Sequence, residues 1–513
     1  MANLFPGDDT RIARAIGQLS YANPFTDERI RLEREVLGDD HVPHDLWIKE
    51  PGQIEASPHL EPLRGAAEDC LTQAKARLTR ITPDAASWQL YADLAMYVLY
   101  YRYENDFYQV LIDERRSPGQ MPFYRRFLGD WQDVLGETPL AADPQHRPEH
   151  LFAVFFQIRR AFHMTYRVIL GTTRLASALR AEVWQSVFTH NMRRYRQVLH
   201  GRMQEISTLI LGESGTGKEL VASAIGQSRY IPFLPGSGRF EEDYRQCFQP
   251  VHLAALPATL LESELFGHRK GAYTGAVSDR VGYLETRHPA QTVFLDEIGE
   301  LPAEIQVKLL RVLQNRTFMR LGDNQSLTFH GKIVSATHRD LAADMAAGLF
   351  REDLYYRLCS DMIRTPPLAL QLAEKPDEYR HLVQVISLKL IAGDMAGELA
   401  AEAIGWIEKH MQGYHWPGNM RELEQCVRGI LVRGRYEPPQ LTVTTGSAVG
   451  QLADDVSNAR LDNDTLIGRY YALVYSQSGN YEAAAQALGT NWRTVKTRMD
   501  RDFLRRINPD ADE

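Results

Sequence analysis

The sequence predicts a multidomain chain with a helical N-terminal region, an α/β P-loop core with a helical lid, and an all-α helix-turn-helix at the C-terminal end. Three observations predict it. "LILGESGTGKEL" sets glycines and a lysine between a strand-like run and a helical run, the context that a phosphate-binding loop needs. Around that loop, short apolar runs alternate with helical stretches, the rhythm of buried parallel strands. Near the end, "GNYEAAAQALGTNWRTVKTRMDRDFLRR" reads as helix, tight turn at Gly489-Thr490, helix. A chain of 513 residues also exceeds what one hydrophobic core usually serves.

The elements follow in order. Residues 1–165 read as a helical domain. From Ala86 to about Tyr166 apolar residues fall at helical spacing, as in Leu90, Leu94, Tyr97 and Tyr101, then Leu151, Phe155, Ile158 and Phe162. Aromatics at that spacing belong to a core rather than to a ligand cavity. The pattern changes near Ile169-Leu170-Gly171. An amphipathic helix carrying Leu175, Leu179, Val183 and Val187 opens the α/β part, residues 166–365. Strands are predicted at Ile206 to Leu211, Val251 to Leu253, Thr292 to Leu295 and Ile333 to Ala336. After Pro366-Pro367 a helical lid runs over 366–435. Residues 436–457, with Pro438-Pro439 and Thr-Thr-Gly-Ser, read as a linker. Residues 458–513 form the last helical unit, and no internal repeat is present.

Composition bounds the function. The 58 basic and 66 acidic residues give a formal charge of -8, so any nucleic-acid contact is confined to a local basic element. Cys70, Cys247, Cys359 and Cys426 are far apart and form no CxxC pair, so they indicate reduced core thiols rather than a cysteine zinc site or a disulfide framework. "MANLFPGDDTRIARAIG" holds no continuous apolar stretch, and no run approaches the roughly 20 residues that span a bilayer. A cytoplasmic protein without a membrane partner is expected.

Five motifs carry chemistry. Gly212, Glu213, Ser214, Gly215, Thr216, Gly217 and Lys218 can wrap phosphates with backbone N–H groups, a helix dipole and one point charge. Glu219 occupies the position where Ser or Thr usually meets magnesium. "QTVFLDEIGEL" ends an apolar strand in Asp296, placed to hold a metal, and Glu297, placed to polarise water. One strand on, "KIVSATHRD" puts Thr337 and His338 where a γ-phosphate or the attacking water could be sensed. "FREDLYYRL" offers Arg351 and Arg357, and "WPGNMRELE" offers Arg421 after a turn in which Asn419 is a plausible helix cap.

These motifs, with "ESELFGHRKGAYTGA", resemble the bacterial sigma-54-dependent transcriptional activators (enhancer-binding proteins), a family of AAA+ ATPases. The resemblance spans roughly Ile169 to Arg435, and Glu219 agrees with it. It implies an ATP- and Mg2+-dependent ATPase that remodels the closed complex of the sigma-54 RNA polymerase holoenzyme into an open one, working as a homo-oligomer, a hexameric ring. It implies that Lys218 holds phosphates, Asp296 organises magnesium, Glu297 activates water, Arg351 and Arg357 reach into a neighbouring subunit's site, and Arg421 is the lid sensor. Gly271, Ala272, Tyr273, Thr274, Gly275 and Ala276 match the tip that touches the sigma factor, carried on a loop inserted into a helix. Tyr273 stands where Phe is commoner. His252 stands where an Asn usually holds the catalytic glutamate before activation, and His338 where an Asn is frequent. Ser228 to Pro250 is longer than the usual link before the second strand, and no feature of its residues explains it. The stretch after Pro366-Pro367 lacks the customary Arg-Glu-Arg run, which leaves the lid contact open.

The C-terminal element is similar to the Fis-type helix-turn-helix of these activators. Val495, Met499 and Phe503 face inward, and Asn491, Trp492, Arg493, Lys496, Thr497 and Arg501 are left for upstream DNA, with Arg498, Arg505 and Arg506 available to phosphates. No early strand leads into an acidic pair, so a phosphoacceptor receiver is not expected at the N-terminal end; the resemblance implies a helical sensory or regulatory domain over 1–165 instead. A DNA-binding AAA+ regulator or repressor acting without sigma-54 is the alternative, and the hexapeptide speaks against it.

Overall fold

A computed structural model describes residues 4–42, 59–113, 121–286, 288–391, 395–438 and 461–507, with 393, 452, 455 and 456 besides. At its centre lies a five-stranded parallel sheet, ordered β4-β5-β8-β1-β9. The strands are β1 (Thr208–Leu211), β4 (Phe248–His252), β5 (Thr292–Asp296), β8 (Lys332–Thr337) and β9 (Asp361–Arg364). Every residue of β8 is buried, as expected for an inner strand covered on both faces. Pro250 is accommodated because β4 is an edge strand. The sequence located four of these strands. The fifth, β9, has only Met362 and Ile363 as its apolar signal and was not anticipated.

Alternation along the strands divides the core. Leu209, Val251, Val293, Leu295 and Ile333 face one side, with α11 (Ala303–Asn315), α12 (Leu341–Ala346) and α13 (Glu352–Leu358) supplying Ile305, Leu309, Leu341 and Leu354. Ile210, Phe294, Val334, Ala336 and Ile363 face the other. They meet α9 (Lys218–Gln227), whose Val221, Ala222, Ala224 and Ile225 continue without a break into the N-terminal helices. Those helices are α1 (Asp8–Leu19), α2 (Asp27–Leu37), α3 (Leu60–Leu78), α4 (Ala85–Ile112), α5 (Tyr124–Trp131) and α6 (Pro148–Val168). The anticipated amphipathic helix is α7 (Arg174–Phe188), followed by the single turn α8 (Met192–Arg194).

The unexplained stretch after α9 has a clear structural part. It folds into an antiparallel hairpin, β2 (Phe233–Leu234) and β3 (Arg239–Phe240), whose two phenylalanines enter the aromatic core of the N-terminal region. Phe233 packs 4.7 Å from Phe152 and 4.5 Å from Tyr124, and Phe240 lies 4.8 Å from Phe156. The N–H of Met121 also donates to Gly238 O at 3.3 Å. The insertion is a bracket between the helices and the sheet.

After α10 (Ala258–Phe266) the loop runs out and back, and its return segment is turns rather than the second half of a helix. A second hairpin, β6 (Thr317–Met319) with β7 (Ser326–Thr328), stands beside it. The lid comprises α14 (Leu368–Glu374), α15 (Glu378–Leu390), α16 (Met395–His410) and α17 (Asn419–Arg433), around Leu382, Leu399, Leu423 and Val427. All four cysteines are free, and burial raises the thiols of Cys70 and Cys426 to about 12 and that of Cys247 to about 11.

Residues 437–513 are a separate compact unit. The expected linker lies mostly outside the described residues. The unit holds α18 (Asn463–Ser478), α19 (Tyr481–Ala487), α20 (Trp492–Arg498) and α21 (Arg501–Ile507). The helix expected to continue past Met499 breaks there, so Phe503 reaches the core from α21. Among the described residues no helix is long and apolar enough to cross a membrane.

Candidate functional site

The phosphate loop joins β1 to α9, and its glycines are required by geometry. Gly215 and Gly217 have φ of +80° and +89°, where a side chain is strained. A Cβ on Gly212 would lie 2.0 Å from Thr365 Oγ1, and one on Gly215 would lie 2.2 Å from the Gly418 carbonyl oxygen. Lys218 is buried at the start of α9, and its Nζ donates to the carbonyls of Gly212 at 2.9 Å and Glu213 at 3.1 Å. Burial lowers its pKa, opposed by Glu297 and Asp296 nearby. Glu219 is exposed, while Thr216 Oγ1 meets Glu213 O at 2.8 Å and Thr365 Oγ1 at 2.6 Å.

Asp296 ends β5, and Glu297 follows it with φ +57°. The two carboxylates are held separately. His252 Nδ1 lies 3.2 Å from Asp296 Oδ2, whereas His338 Nδ1 donates to Glu297 Oε2 at 2.8 Å. The same Glu297 oxygen accepts from Thr337 Oγ1 and from the His338 N–H, each at 3.3 Å. In this structure the hold on Glu297 therefore comes from the end of β8, and the expected switch residue His252 reaches the neighbouring acid instead. Strand register explains the change of partner. His252 pairs with Asp296 across β4 and β5, so their side chains share one face of the sheet, whereas Glu297 leaves the strand with φ +57° and meets the end of β8.

The lid closes over the loop. Arg421 Nη1 donates to Ser214 Oγ at 3.2 Å. Asn419, expected as a helix cap, begins α17 with φ +54° and acts as a latch: its Oδ1 accepts the Leu368 N–H at 2.8 Å, and its Nδ2 donates to Glu213 Oε2 and to Ser214 O, both at 3.0 Å. Next to the loop lies a cavity of about 280 Å³, lined by Val168, Ile169, Leu170, Leu220, Ile386 and Met420. Its wall is the α6–α7 turn, where the sequence changes pattern. Arg180 pins that turn by donating to Ile169 O at 2.8 Å and Gly171 O at 2.6 Å. The stretch lacking the Arg-Glu-Arg run contributes acids to the same place: Glu378 accepts from the Thr172 N–H and Glu374 from the Arg174 N–H, each at 2.6 Å.

Arg351 and Arg357 lie on the surface at α13. Asp353 receives the Arg351 guanidinium through two contacts of 3.0 and 2.8 Å. The 268–280 loop is closed at its base by mutual backbone bonds between His268 and Arg280, and by Arg269 on Asp279 at 2.7 Å and Asp323 at 2.8 Å. Toward the tip, Gly271 N–H donates to Ala276 O at 2.8 Å, with φ of +83° at Gly271 and +106° at Gly275. Ala276 turns inward and Ala272 packs against Gly322, while Thr274 and Gly275 are exposed. The Tyr273 ring leans on His268, centroids 5.1 Å apart, and stays 37% exposed.

In the C-terminal unit Asn491 Oδ1 accepts the Thr494 N–H at 2.9 Å, so this residue caps α20. Trp492, Arg493, Lys496 and Arg501 are exposed. Thr497 is exposed too, but its hydroxyl donates to Arg493 O at 2.8 Å.

Comparison with known proteins agrees with this geometry. Residues 185–364 match the family model of the sigma-54 interaction domain. The chain is 39% identical over 324 residues to the Nif-specific regulatory protein of Azotobacter vinelandii, covering 61% of this chain and 57% of that protein. It is 37% identical over 313 residues to the formate hydrogenlyase transcriptional activator of Salmonella typhimurium, covering 60% and 42%. It is 37% identical over 308 residues to the transcriptional regulatory protein ZraR of Escherichia coli, covering 58% and 64%. The chain spans about half the length of the curated relatives it matches. Residues 185–364, which hold the phosphate loop, the Asp296-Glu297 pair and the 271–276 tip, are thus similar to the sigma-54 interaction domain.

Proposed function

We propose that this protein activates transcription in the cytoplasm by binding upstream DNA and using ATP hydrolysis to open the closed complex of sigma-54 RNA polymerase. The observation that carries the proposal is the near-neutral 271–276 tip, raised on a braced base with Thr274 and Gly275 exposed, in the same subunit as a built nucleotide site. The glycine loop with Lys218 suits phosphates, the cavity beside it suits a base, and Asp296 at the strand end suits Mg2+. Bound ATP supplies the free energy of phosphoryl transfer. Glu297 orients the attacking water, Thr337 and His338 hold Glu297, and Arg421 brings the lid to the phosphates. Arg351 and Arg357 serve a neighbouring subunit's site in a ring, hexameric by resemblance. Residues 1–165 regulate the ATPase, and α19 and α20 place Trp492, Arg493 and Lys496 on DNA.

Reconstituted transcription tests this reading. ATP-dependent open complexes are expected with sigma-54 polymerase and not with the major holoenzyme; the reverse result rejects the proposal. Thr274→Ala is expected to keep hydrolysis within about twofold while open complexes fall at least about tenfold, because the side chain is exposed at the loop tip. Equal loss of both would make the loop a structural element.

A further inference from the structure

We propose that Glu33, His41 and His59 form a binding site for a divalent first-row transition-metal ion in the N-terminal helical region. Three separate elements bring the groups together. Glu33 lies on the buried face of α2 with Leu32 and Val36, His41 follows the short turn after that helix, and His59 immediately precedes α3. One potential ligand atom from each residue lies within 4.8 Å of the other two. Two imidazoles and one carboxylate form a donor set that suits zinc or iron(II) and leaves further positions open.

The distances favour ligation over a simple hydrogen-bonded cluster. Glu33 and His59 are both buried, and Glu33 Oε2 lies 3.4 Å from His59 Nδ1. That is long for a bond between a buried carboxylate and an imidazole N–H, which closes to about 2.7–2.9 Å. Two ligands bound to one zinc at 2.0–2.1 Å, in contrast, sit about 3.3–3.4 Å apart. Arg29, one turn before Glu33, takes the other carboxylate oxygen at 2.8 Å and reaches Tyr101 OH at 3.2 Å. An outer partner of this kind fixes the carboxylate's orientation and leaves Oε2 directed at the histidines. The His41 and His59 rings stack with centroids 4.4 Å apart, so a modest rotation of either brings a nitrogen to a shared centre. Ligation costs the Val42 N–H its bond to His59 Nε2 at 3.0 Å, and that N–H would turn to solvent, where Val42 already lies. An ion here would tie the end of α2 to the start of α3, within the core that continues into the ATPase sheet.

Metal binding to the full chain, with any polyhistidine tag removed and after chelator treatment, tests the site without recourse to transcription. Titration with cobalt(II), followed by its visible absorption, and with zinc(II), followed by thermal unfolding, should show one tight equivalent in the low micromolar range. Asp296→Asn should retain that equivalent, which separates it from the ATPase metal position. His41→Gln, at a half-buried position that tolerates change, should weaken binding at least tenfold with unchanged circular dichroism. Glu33→Gln and His59→Gln should do the same or more. Absence of stoichiometric binding by the unmodified chain, or an affinity in His41→Gln and His59→Gln equal to that of the unmodified chain, overturns the proposal.

Discussion

The two ends of α9 do opposite jobs and are written in different ways. Its N-terminal end carries the phosphate loop, built from residues within a few positions of one another. Its C-terminal end is covered by α6: Gln157 Nε2 donates to Ser228 O at 2.9 Å, and the buried Arg160 donates to Arg229 O. Donors, one of them cationic, thus meet the carbonyls at the negative end of the helix. Among the described residues Arg160 makes no ion pair; it is stacked between Phe156 and Tyr244, with burial lowering its pKa to about 10. One end is fixed by glycine spacing and the other by volume and donors gathered from distant parts of the chain. Each end therefore fails differently when altered.

Glu297→Gln tests the first end. The amide preserves shape but cannot act as a base, so turnover should fall about 10²–10⁴-fold while ATP binding persists. Unchanged steady-state hydrolysis would remove Glu297 from the reaction. Phe152→Ala tests the second. Phe152 is fully buried and packs on Phe107, Phe127 and Phe233, so its loss should cost about 3–5 kcal/mol. Because one core runs from the N-terminal helices into the sheet, calorimetry of the unaltered chain should show these parts melting together. Phe152→Ala should lower and broaden that transition; separate transitions in the unaltered chain would contradict the shared core.

A smaller effect separates the two carboxylates at the phosphate-loop end. His338 acts on Glu297 and His252 on Asp296, so their alanine variants should differ in kind. His338→Ala should reduce kcat about tenfold with little change in the Mg2+ requirement, as loss of an orienting partner does. His252→Ala should shift the Mg2+ titration and leave kcat at saturating Mg2+ closer to normal. An identical Mg2+ shift in both would mean that the two histidines serve one group.

Legibility in the sequence follows the same division. The phosphate loop, the Asp296-Glu297 pair and the hexapeptide are local words, and strand order brings the first two together at Lys218. The α/β rhythm located β1, β5 and β8 because each is a mostly buried apolar run, and β4 through the apolar residues around its one buried position, Val251; β9 is an edge strand of four residues with polar ends and escaped. The histidine partners were not legible, because they depend on the register between β4, β5 and β8. The hairpin at 233–240 was not legible either, since its meaning lies in Phe152 and Phe156, far away in the chain. Asn419 reads as a cap from its neighbours alone. Only the fold places it against Glu213, Ser214 and Leu368.

The docking end of α9 also contains a titrating contact, and it provides the mildest test. His150 Nε2 lies 3.2 Å from the Arg196 carbonyl, which can only accept, so that nitrogen carries the proton and Nδ1 accepts from Tyr230 OH at 2.9 Å. Burial, reinforced by the neighbouring His200, pushes the His150 pKa down from 6.5 to about 3. The folded chain thus resists a proton that the unfolded chain takes up below pH 6.5. The stability this group provides is complete above that pH and declines as pH falls from 6.5 toward 3. The slope is at most about 1.4 kcal/mol per pH unit. Urea unfolding at pH 7 and pH 5 should therefore show acid weakening of the joined core, and His150→Gln, which cannot gain the proton but can still bond Tyr230, should flatten it by about 1 kcal/mol per unit. Equal slopes in the two proteins would show that this buried imidazole does not govern how firmly the N-terminal helices hold the ATPase.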